Sequence, residues 1–264
     1  MHRRTNNRLS KKAFKQEIQR LRTRLIPLGR FVHEFANDIG QPDFFREENA
    51  AGFRYQNPDH RHYCLIRAAR IVSAFNAAIT LAESGFMQEL HVLLRTAIEY
   101  CSQIDVVLLN RVGSSEPHPK VEKYLTAFFA DDRRIGGHRR ISLEQEFVHE
   151  SLGAQIDQFI GKSDKPTSKL LSQSYLGLSY YVHGRYPESM DMYGGQHGHF
   201  HLNGMRDTPK DKEAIDILET YIETASLSFI GIATHLQLRR VLNSDPIITD
   251  WYRDFQMNGQ RPST

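Results

Sequence analysis

The chain has 264 residues, of which 40% are hydrophobic, 25% charged and 10% aromatic, with a formal net charge of +3 at pH 7. This is ordinary globular composition, and it excludes a disordered, collagen-like or low-complexity chain. No stretch approaches the roughly 18 uninterrupted apolar residues of a membrane span, and the N-terminal residues show no short apolar core with a cleavage site, which predicts a cytoplasmic protein without a membrane span.

The charge is unevenly placed. Residues 1–30 carry ten basic side chains (Arg3, Arg4, Arg8, Lys11, Lys12, Lys15, Arg20, Arg22, Arg24, Arg30) against the single acid Glu17, a local +9 on a body that is −6. Such an arm attracts polyanions, and Lys11, Lys12, Lys15, Arg20, Arg22 and Arg24 are candidate nucleic-acid contacts. The alternative is a solvated helix face. From Phe14 the apolar positions run Phe14, Ile18, Leu21, Leu25, Leu28, Val32, Phe35, Ile39, a heptad-like seam. Pro27 lies within it and predicts a kink in one bent helix.

Residues 40–59, with Gly40, Pro42, Gly52 and Pro58, read as a loop. A helix over about 59–84 should turn Leu65, Ile66, Ala69, Val72, Phe75 and Ile79 inward and stop at Gly85. The next, over about 86–110, has the core line Leu90, Leu94, Ala97, Cys101, Ile104, Leu108. One glycine between two such helices predicts an antiparallel hairpin at the centre of the fold. Shorter helices follow over about 120–131 and 142–160, the latter with Ser142 and Gln145 at capping-box spacing. A helix over 167–182 should bury Leu170, Leu171, Ser174, Tyr175, Leu178 and Val182. Residues 184–207 form a long irregular segment. Thr208-Pro209 then starts a final helix to about 243, through Ile215, Leu218, Ile222, Ala225, Phe229, Ile232 and Leu236. The sequence thus predicts an all-α, single-domain bundle of about seven helices: a basic amphipathic N-terminal helix over 1–40, the bundle over 41–244 and a tail over 245–264.

Three polar groups stand out. His91, Arg95, Glu99 and Ser102 form a stripe on the most apolar helix. It either faces solvent or is covered by another helix, and covered it would need a second partner for Arg95. A rigid Arg–Glu pair can hold a cation toward phosphate. Ser179 and His183, four apart before Gly184, place a histidine in a last helical turn, where it acts as an acid–base group or as a cap. His197, His199 and His201 alternate in a glycine-rich loop, a weak candidate metal site. Two cysteines, Cys64 and Cys101, provide neither a disulfide framework nor a zinc knuckle, and no cofactor is predicted.

The run Ala82-Glu83-Ser84-Gly85, then Leu94-Arg95-Thr96-Ala97-Ile98-Glu99, and later Leu178-Ser179-Tyr180-Tyr181-Val182-His183, resembles a widespread group of uncharacterised helical proteins from bacteria and phage. That group is described as a domain of unknown function and is similar to the HEPN superfamily of helical bundles. The resemblance covers residues 80–184 best. It implies an RNA- or nucleotide-binding protein, a homodimer, and a metal-independent ribonuclease in stress or phage defence. Arg95 would then meet phosphate, Glu99 orient it, and Ser179 and His183 complete a catalytic set with His183 as acid–base group. The HEPN mark of Arg, four to six residues, then His occurs at Arg54…His60, Arg111…His118 and Arg133…His138. With 24 arginines and 13 histidines, chance gives about three or four such spacings. None has the Asn or Asp that the superfamily favours after Arg. The alternative is a non-enzymatic interaction module, whose Phe14–Ile39 seam zips against another copy or another protein and whose polar network is structural.

Overall fold

The computed structural model describes residues 9–47, 50–112, 116–130, 143–160 and 166–238. These form α1 (Lys11–Ile39), an antiparallel hairpin of β1 (Asp43–Glu47) and β2 (Ala50–Arg54), then α2 (His60–Ser84), α3 (Met87–Val112), α4 (Pro119–Phe129), α5 (Gln145–Ile160), α6 (Thr167–Val182), α7 (Tyr186–Met190) and α8 (Lys210–His235). The chain is an all-α helical bundle. Arg133…His138, Ser142 and the tail from 245 lie outside the described residues.

The central layer is α1, α2, α3 and α8, each of which packs on at least two of the others. Helix α1 starts at Ser10, whose hydroxyl accepts from Ala13 N at 3.2 Å, and runs through Pro27 as one helix to Gly40. Phe14, Ile18, Leu21, Leu25, Leu28 and Phe35 of its seam are buried, Val32 and Ile39 lie at the margin, and Phe31 is fully buried as well. Phe31 meets Phe229 of α8 with ring centroids 5.0 Å apart. The seam is therefore consumed inside the chain's own core, which corrects the expectation that it zips against a second copy.

Helices α2 and α3 form the expected hairpin. Asp59 caps α2 by accepting from Arg61 N and His62 N, and Gly85 ends it in the left-handed region at φ 85°. The single-glycine turn is locked from outside: a Cβ on Gly85 would lie 2.8 Å from the backbone nitrogens of Met205 and Arg206, and Met205 N donates to Gly85 O. Every residue of the line Leu90, Leu94, Ala97, Cys101, Ile104, Leu108 is buried. The inward face of α2 is turned from the expected one. Tyr63, Cys64, Ala68, Ile71 and Ala78 join Leu65, Phe75 and Ile79 in the core, whereas Ala69 is exposed. By length and composition α2 alone among the described helices could cross a membrane, and its deepest residues pack in this core.

Helices α5 and α6 pack on each other and on α3, away from α1. Only Leu178 and Ser179 of α6 are buried, while Leu170, Ser174 and Val182 are exposed, so of the predicted inward face Leu178 alone is buried and Leu171 and Tyr175 are half-buried. Residues 40–59 hold the β1–β2 hairpin rather than a bare loop; Phe44 stands opposite Phe53, both largely exposed. The segment after α6 contains one turn of helix, α7, and a bridge between Tyr193 and Phe200. Thr208 then accepts from Lys210 N at the start of α8.

Candidate functional site

The polar stripe of α3 is covered by α6. Arg95 Nε donates to Ser179 Oγ at 3.1 Å, one Nη2 hydrogen goes to the Tyr175 hydroxyl, and Nη1 lies 3.5 Å from Glu99 Oε2. The guanidinium also lies over the Tyr175 ring, 4.6 Å from its centroid. Ser179 passes its own proton to Tyr175 O at 2.9 Å. Burial, reinforced by the Glu99 carboxylate, pushes the Tyr175 phenol up, so it stays neutral beside the cation. Three groups picked out in the sequence, Arg95, Glu99 and Ser179, are thus brought together across 84 residues of chain.

Beyond Glu99 the line continues through Gln103 rather than Ser102. Gln103 Nε2 donates to Glu99 Oε1 at 3.3 Å, and its Oε1 accepts from the hydroxyls of Tyr63 and Tyr124, at 3.3 and 3.2 Å. The two phenols are 2.9 Å apart, and Arg67 closes the line by donating from Nε to Tyr63 and from Nη2 to Tyr124, at 3.3 and 2.8 Å. One hydrogen-bonded chain therefore links α6, α3, α2 and α4. Arg67, Gln103, Tyr63, Tyr124 and Tyr175 were missed in the sequence. A readable signal existed for two of them: Gln103 extends the four-residue rhythm of Arg95 and Glu99, and Arg67 stands four after Tyr63.

His183 does not join this cluster. It is the residue that ends α6, its side chain is exposed, and that side chain makes no hydrogen bond, ion pair or ring contact among the described residues. The physical reason is local: Ser179 lies within α6 against α3, whereas His183 is the cap where the chain leaves the helix and turns at Gly184, φ 56°. The histidine against the cluster is His149 of α5, buried, its ring centroid 5.4 Å from that of Tyr175 and its Nδ1 2.9 Å from Ser172 Oγ. Burial lowers its pKa. His91, at the head of the stripe, is buried and stacked on Tyr181 at 3.8 Å, with its Nδ1 on Met87 O, and burial lowers its pKa too.

The alternate histidines do not converge. The rings of His199 and His201 meet edge-on at 5.2 Å, His197 is exposed, and no group of three or more His, Cys, Asp or Glu among the described residues is placed to hold a metal ion.

The basic helix is largely neutralised by the chain itself. Arg20 pairs with Glu17 and, through both terminal nitrogens, with Glu219; Arg24 bridges Glu219 and Glu223; Arg22 pairs with Glu83; Lys11 reaches Asp207 at 3.3 Å. These partners lie on α8, at the end of α2 and before α8. The arginines expected to meet nucleic acid are engaged, and Lys12 and Lys15 remain without an ionic partner among the described residues. Comparison of the chain with family models, with curated proteins and with solved structures gives no match.

Proposed function

We propose that this chain is a HEPN-like helical protein that binds RNA or a nucleotide, with Arg95 as the residue that meets phosphate and Glu99, Ser179 and Tyr175 as the groups that hold it. The observation that carries this reading is the geometry of Arg95. Its Nε and Nη2 are fixed by neutral hydroxyls, its Nη1 is only loosely engaged at 3.5 Å by Glu99, and its side chain retains 23% of its exposure. A planar guanidinium held rigidly along one edge with donors left on the other suits a phosphate, two of whose oxygens can accept from that free edge. Lys12 and Lys15 add sequence-blind affinity. If the protein cleaves RNA without a metal, His149, beside Tyr175 and kept neutral by burial, is the base; His183 is not.

The test is fluorescence anisotropy with a labelled single-stranded RNA and with a fluorescent ATP analogue, in buffer containing a chelator. Arg95→Lys keeps the charge but not the fork, and should weaken binding about tenfold. Equal affinity in wild type and variant, or no binding by wild type, defeats the reading.

A second reading is a non-enzymatic protein in which this network is a structural tie. It is favoured by the completeness of the α3–α6 link, since Ser179 and Tyr175 between them satisfy one edge of Arg95 and Glu99 stands by Nη1. A homodimer formed by such a protein would use a surface other than the α1 seam. Loss of melting temperature in Arg95→Lys without loss of ligand affinity selects it.

A further inference from the structure

Arg67 is a cation without a counter-ion among the described residues. Its hydrogen-bond partners are the hydroxyls of Tyr63 and Tyr124, and its guanidinium carbon lies 4.2, 4.9 and 5.4 Å from the ring centroids of Tyr100, Phe128 and Tyr63. No carboxylate pairs with it among the described residues, and Nη1 has no acceptor there. Glu99, the nearest acid along the hydrogen-bonded line, is already shared between Arg95 and Gln103. Tyr63 cannot supply the missing charge, because burial lifts its phenol well above the usual tyrosine range. Holding a half-buried guanidinium among aromatic rings without an anion is costly.

The surroundings are graded. Tyr63 and Tyr124 form a buried floor, whereas Arg67, Tyr100 and Phe128 are only half-buried, and Nη1 is not among the sealed unpaired atoms. The floor fixes Nε and Nη2 and the rings fix the guanidinium plane, which leaves Nη1 unengaged among the described residues. Such an arrangement is organised before any ligand arrives.

We infer that Arg67, seated on Tyr63 and Tyr124 and walled by Tyr100 and Phe128, is an oxyanion site that takes a phosphate group, separate from the Arg95 cluster. The phosphate is either inorganic phosphate or the terminal group of a nucleotide. The site does not depend on RNA binding at Arg95, so each can fail alone.

The test is the melting temperature of the full chain in inorganic phosphate, 5′-AMP, adenosine or chloride at matched ionic strength and pH. Inorganic phosphate and 5′-AMP should both raise the midpoint relative to chloride, and adenosine should not; a rise with 5′-AMP alone assigns the site to nucleotides. Arg67→Lys, which keeps the charge inside the same rings, should weaken the phosphate effect about tenfold, and should do so in the Arg95→Lys background as well as in the wild type. Arginine Nε–H resonances of the wild type, followed during phosphate titration, provide a readout that needs no variant to fold. No rise in phosphate or 5′-AMP would mean that the chain supplies its own counter-ion, and overturns the proposal. A rise that survives Arg67→Lys undiminished places the anion elsewhere and overturns it too.

Discussion

Two parts of this molecule gather arginines, and they do so in opposite ways. Along the α1–α8 seam, Arg20 and Arg24 meet Glu219 and Glu223 in partly exposed ion pairs, so charge is cancelled by charge in the presence of water. Around α3, Arg95 and the α2 residue Arg67 are held by hydroxyls and aromatic rings, with the Glu99 carboxylate and the Gln103 amide on the line between them. The first arrangement uses water to relieve each charge and contributes little net stability. The second replaces water by fixed dipoles, so losing one partner leaves the others desolvated and unpaired. The lesson is that a count of basic residues does not locate a binding site; the environment of each cation does.

The opposite face of α3 sharpens this contrast with the largest expected effect. Asp105 lies beside Cys64 and Cys101, its one side-chain hydrogen bond comes from Ser228 at 2.9 Å, and burial raises its carboxyl from 3.8 to about 7. A raised folded-state pKa means that the folded protein holds the proton more tightly than the unfolded chain. Its contribution to stability is therefore complete below about pH 4 and is lost as pH rises through 7, a change of about 4 kcal/mol. Asp105→Asn should flatten that slope and make the protein more stable at pH 8, measured by urea denaturation across the range. A slope unchanged in the variant would mean that the carboxylate is ionised and solvated.

Arg95→Ala comes next. It strands Glu99, Tyr175 and the buried Ser179 hydroxyl, and should cost about 2–3 kcal/mol in denaturation midpoint, with Arg95→Lys recovering part of it. A loss below about 0.5 kcal/mol would place this arginine in the same class as those on α1.

How much of this could be read from the sequence follows the same division. Periodicity alone locates α1, α2, α3, α6 and α8, and the core line of α3 needs no correction, because a 3.6-residue rhythm in a long helix is local information. The turn of α2 was misjudged by one position, since alanines stand on both its faces and only the packing of α1, α3 and α8 selects one. The hairpin was missed because its five-residue strands carry no clean alternation. Arg95 and Glu99 were legible as a pair four residues apart. That Arg95 meets Ser179 and Tyr175, and that Arg67 meets Tyr124, depends on contacts across 57 to 84 residues, which no spacing rule encodes. His183 was chosen for its chemistry and its position near Ser179, but it is the cap at which the chain leaves α6, and its side chain is exposed.

Gly85 tests the junction that holds the α2–α3 hairpin against the segment before α8. Its φ of 85° is unfavourable for any L side chain, and an added methyl would press on the backbone nitrogens of Met205 and Arg206. Gly85→Ala should cost about 2 kcal/mol, read as a fall in denaturation midpoint. It should also loosen amide protection at Met205, whose N–H donates to Gly85 O.

The smallest effect belongs to the α1–α8 seam, and it is the one that closes the comparison. Arg24 lies between Glu219 at 2.7 Å and Glu223 at 2.9 Å, with 27% of its side chain exposed and 58% of that of Glu223. A double-mutant cycle of Arg24→Ala with Glu223→Ala should return a coupling below about 1 kcal/mol that shrinks further in 1 M salt. A coupling as large as the cost of Arg95→Ala, and insensitive to salt, would erase the distinction between the two arginine clusters. The seam would then be a core element in its own right, held by charge rather than by Phe14, Leu21 and Phe31 beneath it.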